Sequence, residues 1–199
     1  MKYETIVVTI IGSLFTLLGI VIGGYLSHKS ARDLFAFQQN SELRIRSYSL
    51  LMGIKLPLAQ AVQTALEAKA LCEFYDARFK FISNDLSDRE EAKRQNDRLL
   101  TIIPQVASLK RELFESLGSV MISYELTEEM TNTIDSLYNH KSSEVVEIKQ
   151  GTIKTEVELE SWKKMVDGQV QAHIKDQLLN HFEKLLPLMR LQMKEKAEV

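Results

Sequence analysis

The sequence predicts an all-α, oligomeric protein: a single N-terminal transmembrane helix followed by a cytoplasmic helical bundle. Three observations carry this. Residues 5–26 contain no charged side chain. Beyond them, apolar residues recur at alternating spacings of three and four over long runs, the mark of a helix with one buried face. Gly and Pro number only 8 and 3 in 199 residues, too few to punctuate a loop-rich fold.

Composition narrows the class further. Cys72 is the one cysteine, so a disulfide scaffold is excluded. The formal net charge is −2, which argues against a nucleic-acid binder working through bulk positive charge; no direct nucleic-acid binding is expected. A hydrophobic content of 45% does not fit a disordered chain.

Residues 5–26 come first. As a helix they would be about 33 Å long, enough for a bilayer core of about 30 Å. Tyr3 and Tyr25 stand near the ends, where amphipathic rings favour the interface. A cleaved signal peptide is the competing reading, but the run exceeds a typical h-region of about 7–15 residues, and Glu4 stands beside Lys2 in the n-region. The expected organisation is an anchor at 1–27 and a cytoplasmic domain at 28–199. Lys29, Arg32, Arg44 and Arg46 follow the run, against Asp33 and Glu42. That excess places the N-terminus outside and the domain inside a bacterial inner membrane, in contact with membrane lipid.

One face of the anchor is unusual. Thr5, Thr9, Gly12, Thr16, Gly19 and Gly23 are spaced 4-3-4-3-4. In lipid, small and hydroxyl residues allow close backbone approach and hydrogen bonding between helices. The stripe therefore predicts either packing of identical helices or a water-facing pore lining. Lys29 and Arg32 would ring the cytoplasmic mouth.

Next comes a seam through Leu51, Ile54, Leu58, Ala61, Ala65, Ala68, Cys72, Tyr75, Phe79, Ile82 and Leu86. Pro57 inside it should kink or end the helix. Ser87-Asp-Arg-Glu90 reads as a capping box opening a second helix. That helix carries Leu99, Ile102, Val106, Leu109, Leu113, Leu117, Val120 and Tyr124, with Pro104 interrupting it. A third helix should start near Thr127. The last carries Trp162, Val166, Val170, Ile174, Leu178, Phe182, Leu185 and Met189, with Gly168 and Pro187 as bends. Residues 144–160 support two readings: a hairpin, from the alternation at 153–160, or a loop followed by a helix capped by Thr155 and Glu158.

Charge is uneven. Residues 28–55 hold five bases and two acids, net +3; residues 125–160 hold nine acids and three bases, net −6. The acidic stretch is either an ordinary solvated surface or a docking surface for a basic partner. Glu128, Glu129 and Glu147 would carry such docking.

There is no phosphate-binding glycine loop, nucleophile elbow or HExxH motif. Catalytic residues, metal ligands and cofactors are therefore not expected. His28, His140, His173 and His181 read as ordinary histidines, and Cys72 as a small buried apolar residue.

The uncharged run with its Thr/Gly stripe, followed by helical patterning to about Lys194, resembles the membrane accessory proteins of type VI-B CRISPR systems. The resemblance implies a divergent, HEPN-like helical domain, assembly into a pore-like ring, a soluble nuclease or other cytoplasmic protein as partner, and phage defence by membrane depolarisation. No Arg is followed by His with four to six residues between them, a departure from the HEPN pattern that makes catalysis doubtful. Two functional expectations result: a homo-oligomeric, pore-like membrane effector, or a membrane-tethered helical scaffold that docks a soluble partner.

Overall fold

The computed structural model describes residues 2–140 and 153–195, with side chains from Leu26 to Lys194 within them. Helix α1 runs Lys2–Arg78 and passes into a π-helical turn, Phe79–Ser83. Helices α2 (Leu86–Ser123), α3 (Glu128–Tyr138) and α4 (Glu156–Ile174) follow. A second π-helical turn, Lys175–Leu179, leads into α5 (Asn180–Glu195). The described residues are helical almost throughout, so the all-α expectation stands.

The transmembrane expectation does not. Among the described residues no helix is long and apolar enough to cross a membrane. A span needs about 20 consecutive apolar residues. The longest charge-free runs after residue 26, at 56–66 and 99–109, are far shorter. Residues 5–26 are the first part of α1, a helix that continues through Lys29, Arg32 and Asp33 to Arg78. Side chains of the Thr5, Thr9, Gly12, Thr16, Gly19 and Gly23 stripe lie outside the described set, as does Glu147.

The chain divides into two compact units, Met1–Leu43 and Arg44–Val199. The first is α1 alone. The second contains the rest of α1 and all the other helices.

The core of the second unit shows how helix geometry selects among apolar residues. On α1 the buried apolar set is Leu51, Ile54, Leu58, Ala59, Ala61, Val62, Leu66, Ala68, Ala70, Phe74 and Ala77. The strict 3-4 pattern includes the buried Ala61 and Ala68, but it also runs through Ala65, Cys72, Tyr75 and Phe79, which are only half-buried. A 3.5-residue period drifts about 20° per heptad against a straight helix of 3.6 residues per turn. Over this length the core-facing line moves onto the neighbouring residues. Pro57, Pro104 and Pro187 all lie within continuous helices. The break allowed at Pro57 does not occur; buried Ile54 and Leu58 on either side hold the helix through the missing hydrogen bond.

The helix starts are set by side-chain caps. Thr127 accepts from the Met130 amide at 3.2 Å. Thr155 and Glu158 form a complete capping box, with Glu158 N to Thr155 Oγ1 at 3.3 Å and Thr155 N to Glu158 Oε2 at 3.0 Å. This resolves 156–160 as helix; the other half of the hairpin reading, 145–148, lies outside the described residues. At α2 the cap is not Ser87. Asp85 takes the position and accepts from the Ser87 amide at 2.9 Å, because Asn84 adopts the left-handed conformation (φ 50°) and ends the preceding turn one step earlier. A carboxylate accepts from an amide at a helix start at least as well as a hydroxyl.

The π-helical turn between α4 and α5 has a packing reason. Val166, Val170, Ile174, Leu178 and Phe182 are all buried at a constant spacing of four. A regular α-helix would rotate such a row steadily off the core. A wider turn at Lys175–Leu179 restores the phase.

Polar contacts fasten the bundle. Arg44 donates to the Ser123 carbonyl, and Tyr124 donates its hydroxyl to the Arg44 carbonyl at 2.9 Å. At the other end Arg78 meets Asp88 at 3.7 Å and Glu156 at 3.0 Å. These contacts make α1 and α2 antiparallel neighbours. Gln192 brackets Glu125, donating to its carbonyl at 2.6 Å and accepting from its amide at 3.1 Å.

Candidate functional site

Three places bear on function. The first is α1 in the first unit. Every residue from 26 to 40 is exposed, although Leu26, Leu34, Phe35 and Phe37 are among them, each more than half exposed. Lys29 and Arg32 are on this stretch. They sit one turn apart and share the surface with Asp33, so the segment carries both signs of charge.

The second is the outer side of α3. Glu128 and Glu129 occupy its exposed first turn, where carboxylates favour the positive end of the helix. They line a shallow depression with Asn132, Ser136, His181 and Lys184. Lys184 and His181 bring the opposite sign into it, so the described part of the acidic stretch is not a continuous surface of one sign.

The third was not singled out by sequence. Between Gln95 and Leu113 no residue of α2 is fully buried, although Leu99, Ile102, Ile103, Val106 and Leu109 recur there at helical spacing. The reason is a groove of about 310 Å³ between α1 and α2, lined by Val62, Leu66, Leu99, Ile103, Val106 and their neighbours. Val62 and Leu66 form its floor and are buried. Ile103 is 48% exposed and stands at the mouth. Lys69 and Lys110 are the only charged residues of the lining.

Lys110 links the groove to a pair of histidines. Its ammonium donates to the His140 carbonyl at 3.3 Å, and burial lowers its pKa. The His140 and His173 rings lie with centroids 5.0 Å apart, tilted by 45°. Both Nε2 atoms are buried without a hydrogen-bond partner. Burial, reinforced by the positive charge of Lys110 and by His173 and His181, pushes the His140 pKa down to about 4. His173 is lowered for the same first reason, burial, and then by Lys110. Both rings are therefore neutral near pH 7. No cluster of three His, Cys, Asp or Glu able to hold a metal occurs among the described residues. Cys72 is half-buried, and burial followed by the nearby Glu73 and Asp76 raises its pKa, which keeps the thiol protonated and unreactive.

No protein-family model, curated protein or solved structure matches the chain. The His140–His173 pairing joins residues far apart in sequence and has no local signal. The groove has a local signal of two meanings: the run Leu99–Leu109 looks the same whether it faces a core or lines a cleft.

Proposed function

We propose that the protein is a self-associating helical scaffold, in which α1 of the first unit joins copies and the second unit presents docking surfaces. The observation that carries this reading is the exposure of every residue from 26 to 40, Leu34, Phe35 and Phe37 included. A long helix with no packing partner is marginal in water, since most helical stability comes from tertiary burial. Leu34 and Phe37, three residues apart, share one face of the helix and make an exposed apolar pair of the kind that marks an interaction surface, with Phe35 exposed on another side.

A second copy is the natural occupant. The segment carries Lys29 and Arg32 together with Asp33 and Glu42, so two copies can offset each other's charge. Upstream, the stripe from Thr5 to Gly23 has the 3.5-residue period used by paired helices. The pore reading rests on a membrane span and is not carried further. The antiviral role rests on the resemblance alone.

Site-directed crosslinking tests the association. In a Cys72→Ser background, Ala36→Cys places a thiol on the exposed face beside Phe35 and Phe37. Self-association predicts a disulfide-linked dimer under mild oxidation, suppressed by Phe35→Glu with Phe37→Glu. Monomer alone, at concentrations well above the dilution control, overturns the reading.

A further inference from the structure

We infer that His140 and His173 form a binding site for one divalent transition-metal ion of the Zn²⁺ class, held between their Nε2 atoms and tying the end of α3 to α4. This goes beyond the scaffold reading and does not depend on self-association.

Two observations converge on the pair. The first is a loss of solvation with no compensation. Both Nε2 atoms are buried and neither has a hydrogen-bond partner. A buried polar nitrogen left unpaired carries a desolvation penalty, and here it is carried twice in one place. The second is the arrangement of the rings, with centroids 5.0 Å apart and planes tilted by 45°. Direct ring contact favours offset stacking or an edge-to-face approach, and this tilt is neither. A hydrogen bond from one Nε2 to the other would also explain a close pair, and none forms. Two imidazoles on one ion do explain it. With metal–nitrogen bonds of about 2.0–2.1 Å and a near-tetrahedral angle, the two ring centres stand about 5 Å apart.

The chemistry sets the class of ion. Imidazole nitrogen suits Zn²⁺, Cu²⁺ and Ni²⁺, whereas Mg²⁺ and Ca²⁺ demand oxygen ligands. The two ligands come from different elements. His173 lies in the last turn of α4, and His140 lies just past the end of α3. Lys110 of α2 donates to the His140 carbonyl at 3.3 Å, which fixes the backbone that carries the ring. The same ammonium acts on His140 through its positive charge, as does His181 when protonated, and both oppose a dication. Two ligands working against that charge place the expected affinity in the micromolar range, below that of sites with three or four protein ligands. Both residues are only partly buried, so water reaches the rim of the site and can complete the coordination shell.

Calorimetric titration of the full chain with Zn²⁺ at neutral pH tests the site. Binding should saturate at one ion per chain. In a parallel nuclear magnetic resonance titration the ring-carbon protons of His140 and His173 should shift together, while those of His28 and His181 stay in place. His140→Phe and His173→Phe should each weaken Zn²⁺ binding about tenfold or more, since a lost ligand costs no less than a lost outer-shell partner. Phenylalanine keeps the ring volume, and unchanged helicity by circular dichroism qualifies each variant. His181→Gln and Cys72→Ser should leave the affinity unchanged, and Mg²⁺ should not compete. Absence of Zn²⁺ binding up to millimolar concentration overturns the proposal. So does undiminished binding in both His→Phe variants, or a response at His28 or His181 without one at His140 and His173. The resonance shifts are read on the unsubstituted chain and decide the matter even where a variant fails to fold.

Discussion

The guanidinium of Arg44 lies 5.3 Å from the centre of the Tyr124 ring, while the Tyr124 hydroxyl donates back to the Arg44 carbonyl at 2.9 Å. One residue pair thus joins the start of the second unit on α1 to the end of α2. Ser47 adds a donor to the same carbonyl at 3.1 Å. The contact explains how a positive charge is tolerated at 5% exposure: the Ser123 carbonyl accepts from it, and the ring face attracts it. Tyr124→Phe keeps the ring and removes the donor. It should lower stability by about 1 kcal/mol, the net value of one hydrogen bond, read as a shift in the urea midpoint at constant slope.

The same tyrosine predicts an alkaline limit. Burial pushes its pKa up to about 12, against the opposing effect of Arg44, while the unfolded value is near 10. The folded state then holds a proton that the unfolded state releases. The stability from this group is complete below pH 10 and is lost as pH rises towards 12. Ultraviolet titration should show one tyrosine ionising late, and Tyr124→Phe should flatten the decline in stability over that window.

His140 sets the opposite limit. Its folded pKa, about 4, lies below the unfolded value of about 6.5. Between these two values the unfolded state binds more protons, so stability falls as pH drops from 6.5 towards 4. His140→Phe should reduce that slope, leaving the smaller contributions of His173 and His181, which are also lowered by burial. A ring-proton titration by nuclear magnetic resonance should place the His140 midpoint well below those of ordinary histidines.

Caps and core provide a scale for stability. Thr155→Ala removes half of a complete capping box and should cost about 1 kcal/mol. Leu117→Ala, at a fully buried site in the main core, should cost about 2–5 kcal/mol. Ile122→Ala, on the same helix but 82% exposed, should cost less than about 0.5 kcal/mol. Equal losses at Leu117 and Ile122 in urea denaturation would contradict the assigned helix phase.

Much of the helical framework is legible in the sequence because its signals are local. Thr127, Thr155 and Glu158 announce helix starts by hydrogen bonds within one turn, and the row from Val166 to Met189 names its own core. Three features were not legible because they depend on geometry accumulated over distance. The seam on α1 passes from Ala65 and Cys72 to Leu66 and Phe74 as a 3.5-residue pattern drifts on a 3.6-residue helix. The cap moves from Ser87 to Asp85 because Asn84 turns left-handed. The groove beside Ile103 is invisible because a pattern records which residues share a face and not what lies opposite. The largest difference lies at residues 5–26: a charge-free run predicts a membrane span, whereas no helix among the described residues is long and apolar enough to cross a membrane.

Self-association through the first unit is the central claim, and mass in solution tests it most directly. Sedimentation equilibrium of the full chain, over a hundredfold range of concentration, should give a mass at least twice the 22.8 kDa of one chain, falling to one chain's mass with Phe35→Glu and Phe37→Glu. A mass of 22.8 kDa across the whole range, or an oligomer unaffected by both substitutions, would contradict it.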